Sequence, residues 1–348
     1  MSQNNTLKTI EWKDNSVVMI DQTKLPNELV FVTLTDYNQV ADAIKTLVIR
    51  GAPAIGISGA FGLALAALNS KANSKDELIN ELKHAKKILF ETRPTAVNLK
   101  WGLEKIMSVT KYFESVDEIK KSIIETAKQM ADDDIKINMA IGKHGSILFN
   151  DNDTIMTHCN AGALATVGYG TALGVIRATR DSGKNIKVIA TETRPVQQGS
   201  RLTAFELKHD GIDVTIIPDT AVGYTMANGL VNKIVVGADR ILRTGHVFNK
   251  IGTYQVAAIA KQHDIPFYVA APLSTFDLES DPEDVTIEQR DPSEVTRVGD
   301  KNTAPDGVNV INPAFDMTPP ELISGIITEK SIVKAPFEDS IKKLFEAN

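Results

Sequence analysis

Two hydrophobic rhythms divide the chain. Up to about residue 130, short strand-like pieces, SVVMIDQ and ELVFVTLT, give way to helical spacing. SKDELINELKHAKKILFET places Leu78, Leu82, Ala85 and Leu89 three and four residues apart, with Ser74 at the N-cap position. SVDEIKKSIIETAKQMADDDIKINMAIGKHGSILF reads as a long amphipathic helix with room for one break. From about residue 152 the rhythm changes. TIMTHC, IKVIATE, VTIIPD, KIVVGADRI, PFYVAAP and the less regular VNVINP are short apolar runs separated by helix-length segments. They are rich in β-branched residues and barely alternate, as strands buried on both faces do, which predicts a parallel sheet covered by helices.

The expected class is therefore α/β: a doubly wound parallel sheet in a C-terminal domain, residues 131–348, behind a smaller N-terminal α+β domain, residues 1–130. Doubly wound sheets bind ligands at the carboxyl ends of their strands. The polar residues just past each run should then converge: His158, Cys159 and Asn160; Thr191 to Arg194; Asp219 and Thr220; Asp239 and Arg240; Ser274 and Thr275.

Composition removes several classes of function. Lysine plus arginine is 38 against 44 aspartate plus glutamate, a formal charge of −6, which carries no nucleic-acid footprint. One cysteine cannot close an intrachain disulfide, and the polar start MSQNNTLKTIEWKDNS lacks the apolar core of a signal peptide, so a reducing, intracellular setting is expected. The run LVIRGAPAIGISGAFGLALAAL is interrupted by Arg50, Pro53 and glycines, so no membrane span is expected. The six histidines form no HxxxH or HExxH pair, so no local metal site is expected. Gly162, Gly168, Gly170 and Gly174 follow a strand but miss the GxGxxG spacing of a dinucleotide site, and a P-loop is absent.

Candidate chemistry sits at the strand ends. A lone cysteine is usually inert packing, yet Cys159 ends a strand and precedes NAGALATVGYG, whose glycines suit a tight turn and a close ligand; a following helix N-terminus would favour its thiolate. Asp239, in VVGADRI, either caps a turn or, in an apolar setting, stays protonated as an acid. Anion ligands are expected from Arg50 of RGAPAIG, with backbone amides freed by Gly51 and a φ-locking Pro53, from Arg93 in TRPTAVNLKW, and from Arg194 in TETRPVQQGSRL, with Gln197 and Gln198 as neutral donors. Asn249 and Lys250 are expected to open a helix, where amides and an ammonium suit an anion.

Taken together, IRGAPAIG, ETRPTAVNLKW, THCNAGALAT, ETRPVQQGSRLTAFEL, GADRI and NKIGTYQVA resemble the methylthioribose-1-phosphate isomerase family of methionine salvage. The resemblance runs from about residue 45 to residue 277. Its wider superfamily holds isomerases of ribose 1,5-bisphosphate and 5-deoxyribose 1-phosphate and regulatory subunits of initiation factor 2B. The resemblance implies a Rossmann-like C-terminal domain, a cofactor-independent conversion of an aldose 1-phosphate to a ketose 1-phosphate, and a cytoplasmic homodimer. It implies that Cys159 and Asp239 are catalytic, Asp239 as proton donor. It further implies that Arg50, Gly51 and Ala52, then Arg93, Gln198, Asn249 and Lys250, bind substrate. The hydrogen that moves from C2 to C1 could travel as a proton on Cys159 or as a hydride.

Overall fold

The computed structural model describes residues 7–346; the polar start, residues 1–6, lies outside it. The chain opens with a three-stranded antiparallel sheet, β1 (Ile10–Lys13), β2 (Ser16–Ile20) and β3 (Phe31–Leu34). Five helices follow: α1 (Tyr37–Lys45), α2 (Ala52–Asn69), α3 (Lys75–Glu91), α4 (Val97–Val109) and α5 (Val116–Ser146). Helix α3 starts as its spacing predicts: the Ser74 hydroxyl accepts from the amide of Glu77, and Leu78, Leu82, Ala85 and Leu89 are buried. Helix α5 runs 31 residues without a break and passes through residue 130.

Helix α2 corrects the sequence reading. Pro53 sits in its first turn, where a missing N–H costs nothing, and its glycines do not interrupt it. The result is an 18-residue helix long and apolar enough to cross a membrane, with 78% of it buried inside the protein. Apolar on all sides, it is the central helix of the N-terminal core, enclosed by α1, α3, α4 and α5. Its contact with α4 is close: a Cβ on Gly102 would lie 2.3 Å from the Gly56 carbonyl oxygen, and one on Gly56 would lie 2.7 Å from that of Asn98. That closeness brings the N-termini of both helices to one side of the molecule.

Beyond α5 the elements alternate: β4 (Thr154–Thr157), α6 (Ala172–Asp181), β5 (Lys187–Thr191), α7 (Ala204–His209), β6 (Val214–Ile217), α8 (Val222–Ala227) and β7 (Lys233–Val236). A short excursion, β8 (Arg240–Leu242) and β9 (Val247–Lys250), precedes α9 (Thr253–Gln262) and β10 (Phe267–Ala270). Then come β11 (Phe276–Asp277), α10 (Ser293–Thr296), the hairpin β12 (Arg297–Val298) and β13 (Lys301–Asn302), β14 (Phe315–Thr318), β15 (Gly325–Ile327), β16 (Ile332–Val333) and α11 (Phe337–Glu346).

Seven strands form the main sheet, in the order β16-β15-β10-β7-β4-β5-β6. All neighbours are parallel except β15 and β16. Reversal of strand order about β4 creates the switch point at which such sheets bind ligands. Two expectations are corrected. KIVVGADRI is not one strand: β7 ends at Val236, and Arg240 starts β8 in a separate four-stranded sheet, β11-β8-β9-β14. VNVINP forms no strand beyond a single bridge at Pro313, and the sheet is completed by β15 and β16 instead.

Candidate active site

A cavity of about 540 Å³ opens between the N-terminal helices and the carboxyl ends of β4, β5 and β7. Cys159 and Asp239 both line it. So do Arg50, Gly51 and Ala52 at the start of α2, Arg93 ahead of α4, Gln198, and Lys250 at the end of β9. Residues 80 or more apart in the chain thus share one wall system, as the strand-end argument requires.

Cys159 lies two residues past β4 and is 6% exposed. Its backbone is left-handed, φ +64°, a conformation that costs a non-glycine residue about 1–3 kcal/mol and persists where neighbours over-determine it. Two threonines do so. The Cys159 amide donates to Thr193 Oγ1 at 2.9 Å, and Thr203 Oγ1 donates to the Cys159 carbonyl at 2.6 Å. No helix begins behind the thiol: only a short 3₁₀ turn, Ala163–Ala165, intervenes before α6 at Ala172, so the expected helix dipole is absent. Positive charge comes from elsewhere. Arg50 Nη2 is 3.8 Å from the sulfur, and Arg50 is held by Asn160, through Nη1 to Oδ1 at 2.6 Å and Nη2 to the carbonyl at 3.1 Å.

Asp239 follows β7, and its amide donates to the Phe248 carbonyl. Its carboxyl has no hydrogen-bond partner among the described residues; it opens onto the cavity and is enclosed by protein elsewhere. Burial pushes its pKa up; Lys250, Arg93 and Arg50 pull it back, and Glu288 adds to the rise. Lys250 answers in the opposite sense: burial lowers its pKa, while Cys159 and Asp239 raise it. Its ammonium lies 4.8 Å from the centre of the Phe315 ring and makes no ion pair among the described residues. Thiol, carboxyl and ammonium therefore form one electrostatic unit.

The anion ligands divide. Gly51, at φ +95°, opens α2 with no side-chain cap, so the helix's first turn presents its positive end to the cavity. A Cβ at Gly51 would also lie 2.5 Å from the Cα of Ala165. Arg93 reaches Glu288 at 3.3 Å, and its Nε is buried without a partner, as is Gln198 Oε1. Asn249 does not line the cavity: it is buried, and its amide donates to Thr253 Oγ1. Asn249 and Lys250 also end strand β9 rather than opening a helix; α9 starts at Thr253, its first amides held by Asp316. Arg194 turns away, to the carbonyls of Pro195 and Val295, and Gln197 does not reach the cavity.

Other strand-end groups build the frame. His158 is buried between Thr191 Oγ1 at 2.7 Å and the Ile251 carbonyl at 2.8 Å; the carbonyl fixes Nε2 as the protonated nitrogen, and burial keeps the ring neutral. Asp219 accepts the amides of Thr193 and Arg194. Ser274 and Thr275 tie Asn98 of α4 to the sheet. The glycines after Cys159 serve the loop rather than a ligand: a Cβ on Gly162 would meet the Glu206 carboxylate at 2.3 Å.

Sequence reasoning missed three groups. Arg201 and Arg290 line the cavity, Arg201 bonded to the carbonyls of Gln22 and Leu25, Arg290 to Glu294 and Glu288. Glu206 lies buried beneath the Cys159 loop. A buried carboxylate on a helix of the pattern AFELKH gives no signal in sequence, because its partners are 29 to 46 residues away.

A family model described as the initiation factor 2 subunit family matches residues 48–335. A methylthioribose-1-phosphate isomerase of Thermosipho africanus is 51% identical over 339 residues, covering 97% of this chain and 98% of its own. The chain belongs to the methylthioribose-1-phosphate isomerase family. The solved 5-methylthioribose 1-phosphate isomerase of Pyrococcus horikoshii superposes with a TM-score of 0.91 at 45% identity, covering 98% of this chain and 96% of that one. A structure described as translation initiation factor eIF-2B subunit delta from A. fulgidus is 48% identical with a TM-score of 0.87, covering 98% and 99%. The isomerase family and the initiation-factor subunits thus share this α/β architecture, and what separates them has to be read from the cavity.

Proposed function

We propose that the chain converts 5-methylthioribose 1-phosphate to 5-methylthioribulose 1-phosphate, the isomerisation of methionine salvage, with Cys159 and Asp239 as its catalytic pair. The observation that carries this reading is the shared cavity. A thiol beside a guanidinium and an unpartnered carboxyl with a raised pKa face one space, whose wall also carries the Lys250 ammonium.

The chemistry follows from an acid and a base set on one cavity. An aldose with a phosphorylated anomeric oxygen cannot open simply to an aldehyde. Asp239, whose pKa burial raises, gives its proton to the ring oxygen as the C1–O4 bond breaks. Cys159 as thiolate takes the C2 proton, and the C–H electron pair becomes the C1=C2 bond of an enol phosphate. The C2 hydroxyl then returns a proton to Asp239 as its oxygen becomes the ketone, and the Cys159 thiol delivers its proton to C1. Both groups end as they began, and the phosphate never leaves.

In this reading Arg50, Arg93, Lys250 and the opening amides of α2 at Gly51 and Ala52 hold the phosphate, Gln198 holds a sugar hydroxyl, and Asn249 steadies the end of β9. Residues 1–130 then contribute ligands and residues 131–348 the catalytic pair. The substituent at C5 lies against apolar wall. Leu25, Leu47, Ile55, Leu202, Phe248 and Phe315 line the cavity, and its extra cations, Arg201, Arg240 and Arg290, are already engaged by protein oxygens. That favours methylthio over a second phosphate. A cytoplasmic homodimer belongs to the same proposal and rests on the family alone.

The A. fulgidus structure's description favours a second reading, a binding subunit without turnover. One assay separates them: the purified chain is given 5-methylthioribose 1-phosphate, 5-deoxyribose 1-phosphate and ribose 1,5-bisphosphate, and product is followed by NMR. The isomerase reading expects turnover, fastest on the methylthio sugar. No turnover on any of the three overturns it.

A further inference from the structure

Beneath the Cys159 loop lies a buried carboxylate that none of the steps above uses. Glu206 is 0% exposed. Its Oε2 accepts from the Ala163 amide at 2.7 Å and from Arg177 Nη2 at 2.8 Å. Its Oε1 accepts from the Leu164 amide at 3.1 Å and from Asn160 Nδ2 at 2.9 Å. Arg177, itself 2% exposed, is in turn held by Asp210 and the Tyr169 carbonyl.

The bond to Asn160 has a directional consequence. A side-chain amide has one oxygen end and one nitrogen end. A carboxylate accepts and never donates, so Glu206 compels the NH₂ of Asn160 to face it. The other end, Oδ1, is thereby turned to Arg50, where it accepts from Nη1 at 2.6 Å. Arg50 Nη2 then meets the Asn160 carbonyl and the Cys159 sulfur. A flipped Asn160 would oppose a donor to the Arg50 guanidinium and push it off the sulfur. Thr203, one helical turn before Glu206 on the same segment, accepts from Asn160 Nδ2 at 3.2 Å and donates to the Cys159 carbonyl. The segment that carries Glu206 includes a π-helical turn, Gly199–Thr203, an unusual geometry common at functional sites.

We infer that Glu206 is a positioning residue: through Asn160 it holds the Arg50 guanidinium against the Cys159 sulfur. The effect reaches substrate only through Arg50 and Cys159, so the inference rests on the isomerase reading for its consequence in turnover. Its geometric content stands apart from that reading and is read by Cys159 reactivity alone.

The test compares the parent chain with Glu206→Gln, Asn160→Ala and the double variant. Two quantities are followed: the rate of Cys159 alkylation by iodoacetamide, and kcat and KM on 5-methylthioribose 1-phosphate. Misplacement of a catalytic group by about 1 Å costs up to about a hundredfold in rate. Glu206→Gln is expected to slow alkylation and kcat by about tenfold to a hundredfold with KM little changed. The double variant should be no slower than Asn160→Ala alone, because Glu206 acts through Asn160. A purely structural carboxylate would lower melting temperature yet leave both rates of the folded protein within about twofold, or give losses that add in the double variant, and either overturns the inference. Should Glu206→Gln not fold, Asn160→Ala decides: parental alkylation there breaks the proposed link. A parent chain that alkylates as expected but turns over no sugar phosphate defeats the isomerase reading and leaves the positioning test intact.

Discussion

The guanidinium of Arg50 lies 3.8 Å from the sulfur of Cys159, 109 residues away in sequence. One group stands at the threshold of the central N-terminal helix, the other at the end of a central strand of the main sheet. Their meeting joins the N-terminal helices to the main sheet at the wall of the cavity. Negative charge that develops on the sulfur gains a charge-assisted hydrogen bond there. Arg50→Lys keeps the charge but cannot span the Asn160 carbonyl, its side-chain oxygen and the sulfur together. It is expected to lower kcat by at least about tenfold, measured on the methylthio sugar at saturation.

Asp239 should set the alkaline limb of the pH profile. Burial raises its pKa above the ordinary carboxylate value, so the acid form persists into a pH range where exposed aspartates are ionised. An acid catalyst is lost as pH rises through its folded pKa, so kcat/KM should fall on that side. Asp239→Asn has no proton to give: a loss of about a hundredfold or more, with the alkaline limb gone, is the expected result of a pH-rate series. A variant profile that keeps that limb would assign it to another group.

Arg93 should act mainly on binding. Its Nε is buried and unpartnered, and its Nη2 has only a 3.3 Å contact with Glu288, so donors remain for a phosphate. Arg93→Ala is expected to raise KM more than it lowers kcat, and inorganic phosphate should inhibit the parent more strongly than the variant. Steady-state kinetics with and without phosphate check both.

Asp134 offers a prediction about stability. It lies in α5, buried, and accepts the Val167 amide at 2.8 Å. Burial pushes its pKa up to about 7 from an ordinary value of 3.8. Below the ordinary value both folded and unfolded chains are protonated and nothing is lost. As pH rises from there towards 7, the unfolded chain ionises first, and folding loses up to about 1.4 kcal/mol per pH unit. Asp134→Asn removes that loss while keeping an acceptor for Val167. Its melting temperature should match the parent near pH 4, rise above it as pH approaches 7, and stay above it thereafter.

The fold was legible where periodicity was strong. Helix α3 and the buried strands β4, β5, β7 and β10 follow from the spacing of apolar residues and an N-cap serine, whereas β6, read as buried on both faces, is the sheet's edge strand and exposes Thr215 and Ile216. Helix α2 was misread because glycines look like breaks in sequence; here they admit α4 at backbone distance, which only the packed partner reveals. In the cavity, the strand-end rule located Cys159 and Asp239, since topology alone carries polar residues there. Rotamer-level facts were not legible. Nothing in TRPVQQGSRL distinguishes Arg194, which turns to Val295, from Arg201, which faces the cavity. The positive charge beside Cys159 comes from Arg50 rather than a helix end, because the loop after β4 turns back onto Glu206 instead of entering a helix.

Solvent isotope reports how the hydrogen travels. In deuterated water the proton route brings deuterium to C1 of the ketose to the extent that the Cys159 thiol exchanges before it returns the proton. Deuterium at C1 excludes a pure hydride shift; product free of deuterium is consistent with both routes, because an enclosed thiol can hand back the proton it took.

The most direct measurement compares kcat of the purified parent with that of Cys159→Ala on 5-methylthioribose 1-phosphate, each followed by NMR. The account predicts parental turnover and a loss of at least about a hundredfold in the variant, with the fold retained by circular dichroism. Near-parental turnover by Cys159→Ala would contradict it and return the thiol to a packing role.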